Sequence, residues 1–150
     1  MKKKLIILVL LFLTNCGYST VYKEDLNQDI KIVILDLNGN KEFNNKLKQE
    51  LKQYFNNNSE NEYNLKIKTT FNKNIISKDR TGKASNFEIN AKTQFQVSFK
   101  GKKQTLFFNE SLKIKNNEDS FEQRKYENII KNNFAKSIKE KLILKLKTLK

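Results

Sequence analysis

The side chain with the clearest capacity for covalent chemistry is Cys16, the only cysteine in this chain of 150 residues. A catalytic thiolate needs a base to activate it, and the chain contains no histidine. An internal disulfide is excluded because a single cysteine has no partner. Two interpretations remain: Cys16 is an incidental residue, or it is the attachment point for another group.

The residues before Cys16 indicate what that group would be. A basic start at residues 2–4 is followed by an unbroken apolar run over residues 5–13. A helix that spans a bilayer needs about 20 apolar residues, so this shorter run is typical of a cleaved signal peptide. The LTNC that ends at Cys16 also resembles a bacterial lipobox, in which cleavage precedes an acylated cysteine, although Asn15 stands where a small residue is usual.

These features predict how the chain is organised. Residues 1–15 form a signal peptide that is removed, residues 16–29 form a lipidated tether, and residues 30–150 form one domain. We expect a diacylglycerol group and an N-acyl chain on Cys16, and each buried methylene of such chains contributes about 0.8 kcal/mol to membrane binding. Gly17, rather than aspartate, follows the cysteine, which favours the outer membrane by analogy with other lipoproteins.

The chain is strongly basic, with 30 lysine and arginine residues against 16 acidic residues and a formal net charge of +14. Such a charge favours an anionic partner, such as a nucleic acid, an anionic lipid or an acidic surface. Arg80 and Arg124 are the only arginines, and arginine is the preferred residue for reading phosphates and bases. We therefore expect no nucleic-acid partner. An AT-rich genome would produce the same excess of lysine on any fold, so charge alone identifies no ligand.

The spacing of apolar residues predicts the secondary structure. Residues 30–35 are typical of a strand buried on both faces, and residues 41–55 have the period of an amphipathic helix. Alternation of apolar and polar residues predicts strands over residues 63–71 and 87–99, and a less regular strand over residues 106–114.

A long amphipathic helix is predicted to close the chain. Ser120 and Gln123 have the spacing of a capping box at its start. Its predicted core residues are Tyr126, Ile129, Ile130, Phe134, Ile138, Leu142 and Leu146. The order β-α-β-β-β-α predicts an α+β two-layer sandwich, in which a four-stranded, mostly antiparallel sheet carries two helices on one face. The other face would expose Lys66, Lys68 and Lys92.

Few residues have the spacing that catalysis or metal binding requires. The four glycines form no phosphate-binding loop, and without histidine the common zinc sites and imidazole catalysis are absent. Asp36, Asp79 and Glu88 do not form the carboxylate pair of a glycosidase. We therefore expect no catalytic residue, no metal, no cofactor other than the covalent lipid, and no enzymatic activity.

One basic loop lies between the first two alternating strands. Residues 79–82, Asp-Arg-Thr-Gly, are typical of a turn, and Lys78, Arg80 and Lys83 would present cations there. These cations could bind an anionic group, whereas an ordinary lysine-rich turn is the simpler interpretation.

The order of these features resembles the LptE family of lipopolysaccharide-assembly lipoproteins, in its short α-proteobacterial form. The shared features are the CGY of residues 16–18 with Tyr22 after it, residues 80–84 leading into the long alternating strand, and residues 126–130 early in the closing helix. The chain departs from the family pattern because no proline follows the CGY start.

The resemblance implies a location, a partner and a ligand. The protein would face the periplasm from the outer membrane, seated in the lumen of an LptD-like β-barrel that it helps to assemble while lipopolysaccharide reaches the outer leaflet. Arg80, with Lys83 and Lys78 as weaker neighbours, would contact the lipid A phosphates.

The alternative is a periplasmic accessory lipoprotein, either a peptidoglycan-synthase activator or the auxiliary subunit of a lipid-transport ABC system. A protein that works at the cell wall needs a long tether to reach it. Only about a dozen residues separate Cys16 from the first strand, a reach of roughly 40 Å, which favours work close to the membrane.

Overall fold

A computed structural model describes residues 29–149. The strands are β1 (Lys31–Gly39), β2 (Glu62–Lys78), β3 (Ala84–Phe99) and β4 (Lys102–Lys115). The helices are α1 (Lys41–Leu51), which continues into a 3-10 turn at Lys52–Tyr54, and α2 (Ser120–Lys147). The predicted signal peptide, Cys16 and most of the predicted tether lie outside the described residues.

The strands lie in the order β1-β2-β3-β4 in one sheet. β1 and β2 are parallel, because the chain crosses from one to the other through α1, and the β2-β3 and β3-β4 pairs are antiparallel. The predicted α+β fold, with a four-stranded, mostly antiparallel sheet and two helices, is therefore confirmed. Neither helix in residues 29–149 is both long enough and apolar enough to cross a membrane.

The alternation of side chains along β2 and β3 decides which face of the sheet carries the helices. The buried residues of these strands recur at every second position and include Tyr63, Leu65, Ile67, Ile89, Phe95 and Val97. The hydroxyl of Tyr63 donates to the carbonyl oxygen of Leu146 at 2.9 Å, and its ring stacks on Phe99 with 4.3 Å between centroids. These contacts join the last turn of α2 to the sheet.

β1 differs from the prediction of a strand buried on both faces. It continues to Gly39, and within the described residues β2 is its only neighbour in the sheet. Leu35 lies at an irregularity in the register with β2 and is 57% exposed, whereas Ile32 is 1% exposed. A continuous apolar run cannot distinguish an edge strand from a covered one, because only the pairing partners do so.

The start of α2 also differs from the prediction. Asp119 is the N-cap, and its carboxylate accepts hydrogen bonds from the amides of Phe121 at 2.8 Å and Glu122 at 3.2 Å. The predicted capping box at Ser120 and Gln123 is therefore not formed. The side-chain oxygen of Gln123 instead accepts a hydrogen bond from the backbone of the loop before the helix.

The prediction that Tyr126 and Ile129 are core residues is wrong. They are 47% and 46% exposed. Glu127 faces the sheet in this part of α2, because its carboxylate accepts hydrogen bonds from Lys73 of β2 at 2.6 Å and from Gln123 at 2.7 Å. These bonds set the rotation of the first turns. The rest of the predicted stripe is buried and consists of Ile130, Phe134, Ile138, Leu142 and Leu146.

Candidate functional site

The basic loop is a tight turn that joins β2 to β3 at one end of the sheet. The backbone N–H of Asp79 donates to the carbonyl oxygen of Lys83 at 2.8 Å. The carboxylate of Asp79 accepts from the N–H and the hydroxyl of Thr81, at 2.8 and 2.7 Å, and from the N–H of Lys83 at 3.0 Å. Gly82 has a φ of +83°, a conformation that glycine adopts without strain. The predicted turn is therefore confirmed.

These hydrogen bonds favour the charged form of Asp79. The hydroxyl of Thr81 has the largest effect, and the backbone amides of the turn add to it, so the pKa of Asp79 is lowered although desolvation acts in the opposite direction. The negative charge of Asp79 is therefore directed into the turn itself.

We expect an NMR titration to place the pKa of Asp79 below its ordinary value of 3.8. The substitution Thr81→Val keeps the branched shape and removes the hydroxyl, so it should raise that pKa. Because the folded-state pKa is depressed, the carboxylate stabilises the fold above its unfolded pKa, and this contribution is lost as the pH falls through the folded pKa. Equal pKa values in the two proteins would show that the hydroxyl does not stabilise the carboxylate.

The three cations of the turn are available to an external ligand. Lys78, Arg80 and Lys83 are all exposed. None of them forms an ion pair with another residue of the described range. The adjacent Asp79 cannot neutralise them fully, because its carboxylate accepts hydrogen bonds from the turn.

A polar groove of about 680 Å³ lies between this turn and the loop that joins β4 to α2. Asn116 fixes that loop: its N–H donates to the carbonyl oxygen of Ser85 at 2.9 Å, and its side-chain amide donates to that of Ala84 at 3.0 Å. Lys115 is in register with Asn86 at the start of β3. The groove is therefore lined by two segments of the sequence, residues 79–86 and 115–118, that the sheet brings together.

Only one of the three predicted site residues lies in the groove. Lys83 lines the groove, whereas Lys78 and Arg80 lie outside its lining. Lys115 lines the groove together with Lys83 and was not predicted. The predicted strand order contained the signal for it, because an antiparallel β4 returns its last residue to the first residues of β3. Asp79 and Glu118 also line the groove, so its two cations are accompanied by two carboxylates.

The lysines of this groove can bind an anionic group, because the carboxylate of Asp79 is engaged by hydrogen bonds of the turn. Two ammonium groups beside amide and hydroxyl side chains can donate charge-assisted hydrogen bonds to phosphate or carboxylate oxygens. Among residues 29–149, no three histidine, cysteine or carboxylate side chains are grouped to hold a metal ion. Cys16, the predicted lipidation residue, lies outside the described residues.

Solved structures of bacterial lipoproteins share this fold. Rare lipoprotein B from Shewanella oneidensis matches with a TM-score of 0.60 over 81% of this chain and 95% of that chain, at 13% sequence identity. A minor lipoprotein from Acinetobacter baumannii matches with a TM-score of 0.51 over 80% of this chain and 95% of its own, at 15% identity. No protein-family model matches the sequence, and no curated protein is significantly similar to it.

A third structure, lipoprotein B from Nitrosomonas europaea, has a TM-score of 0.50, covers 77% of this chain and 79% of its own, and is 11% identical. At these identities the likeness is one of fold. It covers about four fifths of this chain and nearly the full length of the first two structures.

Proposed function

We propose that this protein is an outer-membrane lipoprotein of the LptE type. It sits in the lumen of an LptD-like β-barrel, assists the assembly of that barrel and helps to deliver lipopolysaccharide to the outer leaflet. The observation that carries the proposal is the match of its fold to almost the whole length of rare lipoprotein B. The sequence start supports it, because the residues around Cys16 are typical of a lipidated, exported protein.

In this proposal the protein is a structural and binding subunit and not an enzyme. Its diacylglycerol and N-acyl groups on Cys16 hold it at the membrane surface, facing the periplasm, and it uses no other cofactor. A polar outer surface suits a position inside a large barrel, because the lumen of such barrels is polar.

The proposed contact with lipopolysaccharide is at the turn between β2 and β3. Lys83 and Lys115 bind a lipid A phosphate in the groove by charge-assisted hydrogen bonds. Arg80 and Lys78 extend the positive surface beyond the groove and contact further anionic groups. The groove is polar and supplies no surface for acyl chains, so the headgroup is the part of the ligand that it recognises.

Charge reversal in the groove tests this contact. The double substitution Lys83→Glu and Lys115→Glu should weaken binding to purified lipopolysaccharide at least about tenfold, because it replaces two charge-assisted hydrogen bonds with repulsion. The measurement is a binding titration at fixed ionic strength. Arg80→Glu with Lys78→Glu tests the remainder of the turn and should weaken binding by a smaller factor.

The matched control is Lys102→Glu with Lys103→Glu, which changes the net charge equally at the other end of β3. β3 has 16 residues and is therefore about 50 Å long, so the control lies far from the groove. Equal weakening by both double substitutions would show that lipopolysaccharide responds only to net charge. Lipid A without phosphates should bind the wild-type protein and the groove variant equally weakly.

A further inference from the structure

The face of the sheet that carries no helix has a surface chemistry of its own. Phe107 of β4 lies on this outer face, because its neighbours Leu106 and Phe108 pack into the core on the other side. Phe107 is 73% exposed, which makes it the most exposed large apolar side chain among residues 29–149. Burial of this ring therefore contributes little to the stability of the fold.

Phe107 lies on β4, the edge strand of the sheet in the described residues, and hydrogen-bonding side chains border it on the side of β3. It is opposite Gln94 of β3, and Gln94 is opposite Lys68 of β2. The neighbouring row crosses the same three strands. The six residues of these two rows line a shallow groove of about 480 Å³, and we call them the outer patch: Lys68, Thr70, Lys92, Gln94, Phe107 and Asn109.

The outer patch carries uncompensated positive charge. Lys68 and Lys92 are exposed, and neither forms an ion pair with any residue in the range 29–149. Two carboxylates lie on the same face, and one of them, Asp36, lines a neighbouring hollow together with Lys68; the other is Glu88. Both accept hydrogen bonds from adjacent asparagine or serine side chains, and neither pairs with the lysines of the patch.

We propose that the outer patch docks against an acidic protein surface, with Phe107 as an aromatic anchor at its β4 edge. This inference rests on the proposed function, in which that surface is the inner wall of the β-barrel. Exposed aromatic side chains are among the few residues that carry most of the binding energy of a protein interface. Lys68 and Lys92 supply charge complementarity, which favours one partner surface over others.

The side chains of the outer patch favour a protein over a lipid as the occupant. One exposed ring is too little apolar surface to hold an acyl chain, whose binding increases with each buried methylene. Gln94, Thr70 and Asn109 provide both donors and acceptors, which suit the amide, hydroxyl and carboxylate groups of a polar lumen.

The test measures the affinity of the full-length protein for the LptD-like β-barrel of the same organism, purified in detergent. Phe107→Ser should weaken binding at least about tenfold, as expected for an aromatic anchor. Lys68→Glu with Lys92→Glu should weaken it to a similar extent and reduce the dependence of the affinity on salt. Both changes are on the surface, so the circular dichroism spectrum should be unchanged.

Matched controls lie on α2, away from the outer face. Leu144 is 65% exposed, so Leu144→Ser removes a comparable apolar side chain. Lys136→Glu with Lys145→Glu changes the net charge by the same amount. These control variants should bind the barrel within about threefold of wild type, as near-neutral interface or surface changes do.

The outcomes separate this inference from the proposed function. If the wild-type protein binds the barrel and the outer-patch variants bind as tightly as the controls, the docking assignment is overturned and the proposed function stands. If the wild-type protein does not bind the barrel, both are overturned. If the outer-patch variants keep their affinity for the barrel but lose binding to vesicles that contain lipopolysaccharide, the patch is a lipid surface and the docking assignment is overturned.

Discussion

Replacing Gly39 with alanine is expected to lower the free energy of unfolding by about 3–5 kcal/mol, through backbone strain and overpacking together. Gly39 ends β1 with a φ of +106°, where a side chain is strained. A Cβ at this position would also overlap the backbone carbonyl of Thr69 on β2, so the two strands would have to separate. That movement would disturb the hydrogen bond of 2.5 Å from the Thr69 hydroxyl to Asn44 of α1.

Gly82→Ala is the matched control for this prediction. Gly82 also has a positive φ, of +83°, but no atom lies within 4 Å of an added Cβ. The control therefore measures the conformational cost alone, about 1–2 kcal/mol. Urea denaturation followed by circular dichroism gives both losses on the same scale. Equal losses would mean that the close approach of β1 to β2 at Gly39 has no energetic consequence.

Replacing Cys16 with serine is expected to abolish lipidation. Serine offers no thiol for the diacylglycerol group, so cells that are given labelled palmitate should incorporate none of it into the variant. The protein should also lose its stable membrane attachment. Several long acyl chains together provide an almost irreversible anchor, and the variant would carry none of them. Washed membrane fractions from the two strains, compared by immunoblot, give this second readout.

Asn15→Gly is the matched control for lipidation. It places a small residue before Cys16, as is usual in a lipobox, and should incorporate at least as much palmitate as the wild-type protein. Label in the Cys16→Ser variant would show that the lipid is attached elsewhere. A wild-type protein without label would show that residues 1–15 direct export by another route.

The sequence predicts β2 and β3 well because one face of each strand packs into the core and the other face is polar. The alternation over residues 87–99 arises because one face of β3 packs beneath the helices and the other is polar. The same alternation placed Lys68 and Lys92 on the exposed face, where the structure has them. The turn at residues 79–82 was predictable for a local reason, because Gly82 has a φ of +83°, which glycine adopts without strain.

The predictions that failed depend on contacts that a local pattern does not contain. β1 was predicted to be covered because its residues are apolar, but its place at the edge is decided by which strands pair with it. Tyr126 and Ile129 fit a helical stripe, yet both are exposed. Hydrogen bonds from Lys73 and Gln123 hold the side chain of Glu127 toward the sheet in their place. The contact of Lys73 with Glu127 joins residues far apart in the sequence, so it has no signature in apolar spacing.

Only the part of the candidate site that local sequence determines was predictable. Lys83 belongs to a turn that local sequence identifies, whereas Lys115 reaches the groove only through the register of β4 with β3. The position of Phe107 beside Gln94, in one row with Lys68, likewise follows only from the pairing of β2, β3 and β4. Which side chains from different strands lie together can be inferred only when the register of those strands is known.

Complex formation with the barrel tests the proposed function most directly. The full-length protein and the LptD-like β-barrel of the same organism would be co-expressed and extracted from outer membranes in detergent, and the barrel would be purified through its own tag. We predict an equimolar complex that remains intact during size-exclusion chromatography. A barrel that purifies without the protein, although both are present in the same membrane fraction, would contradict the proposed function.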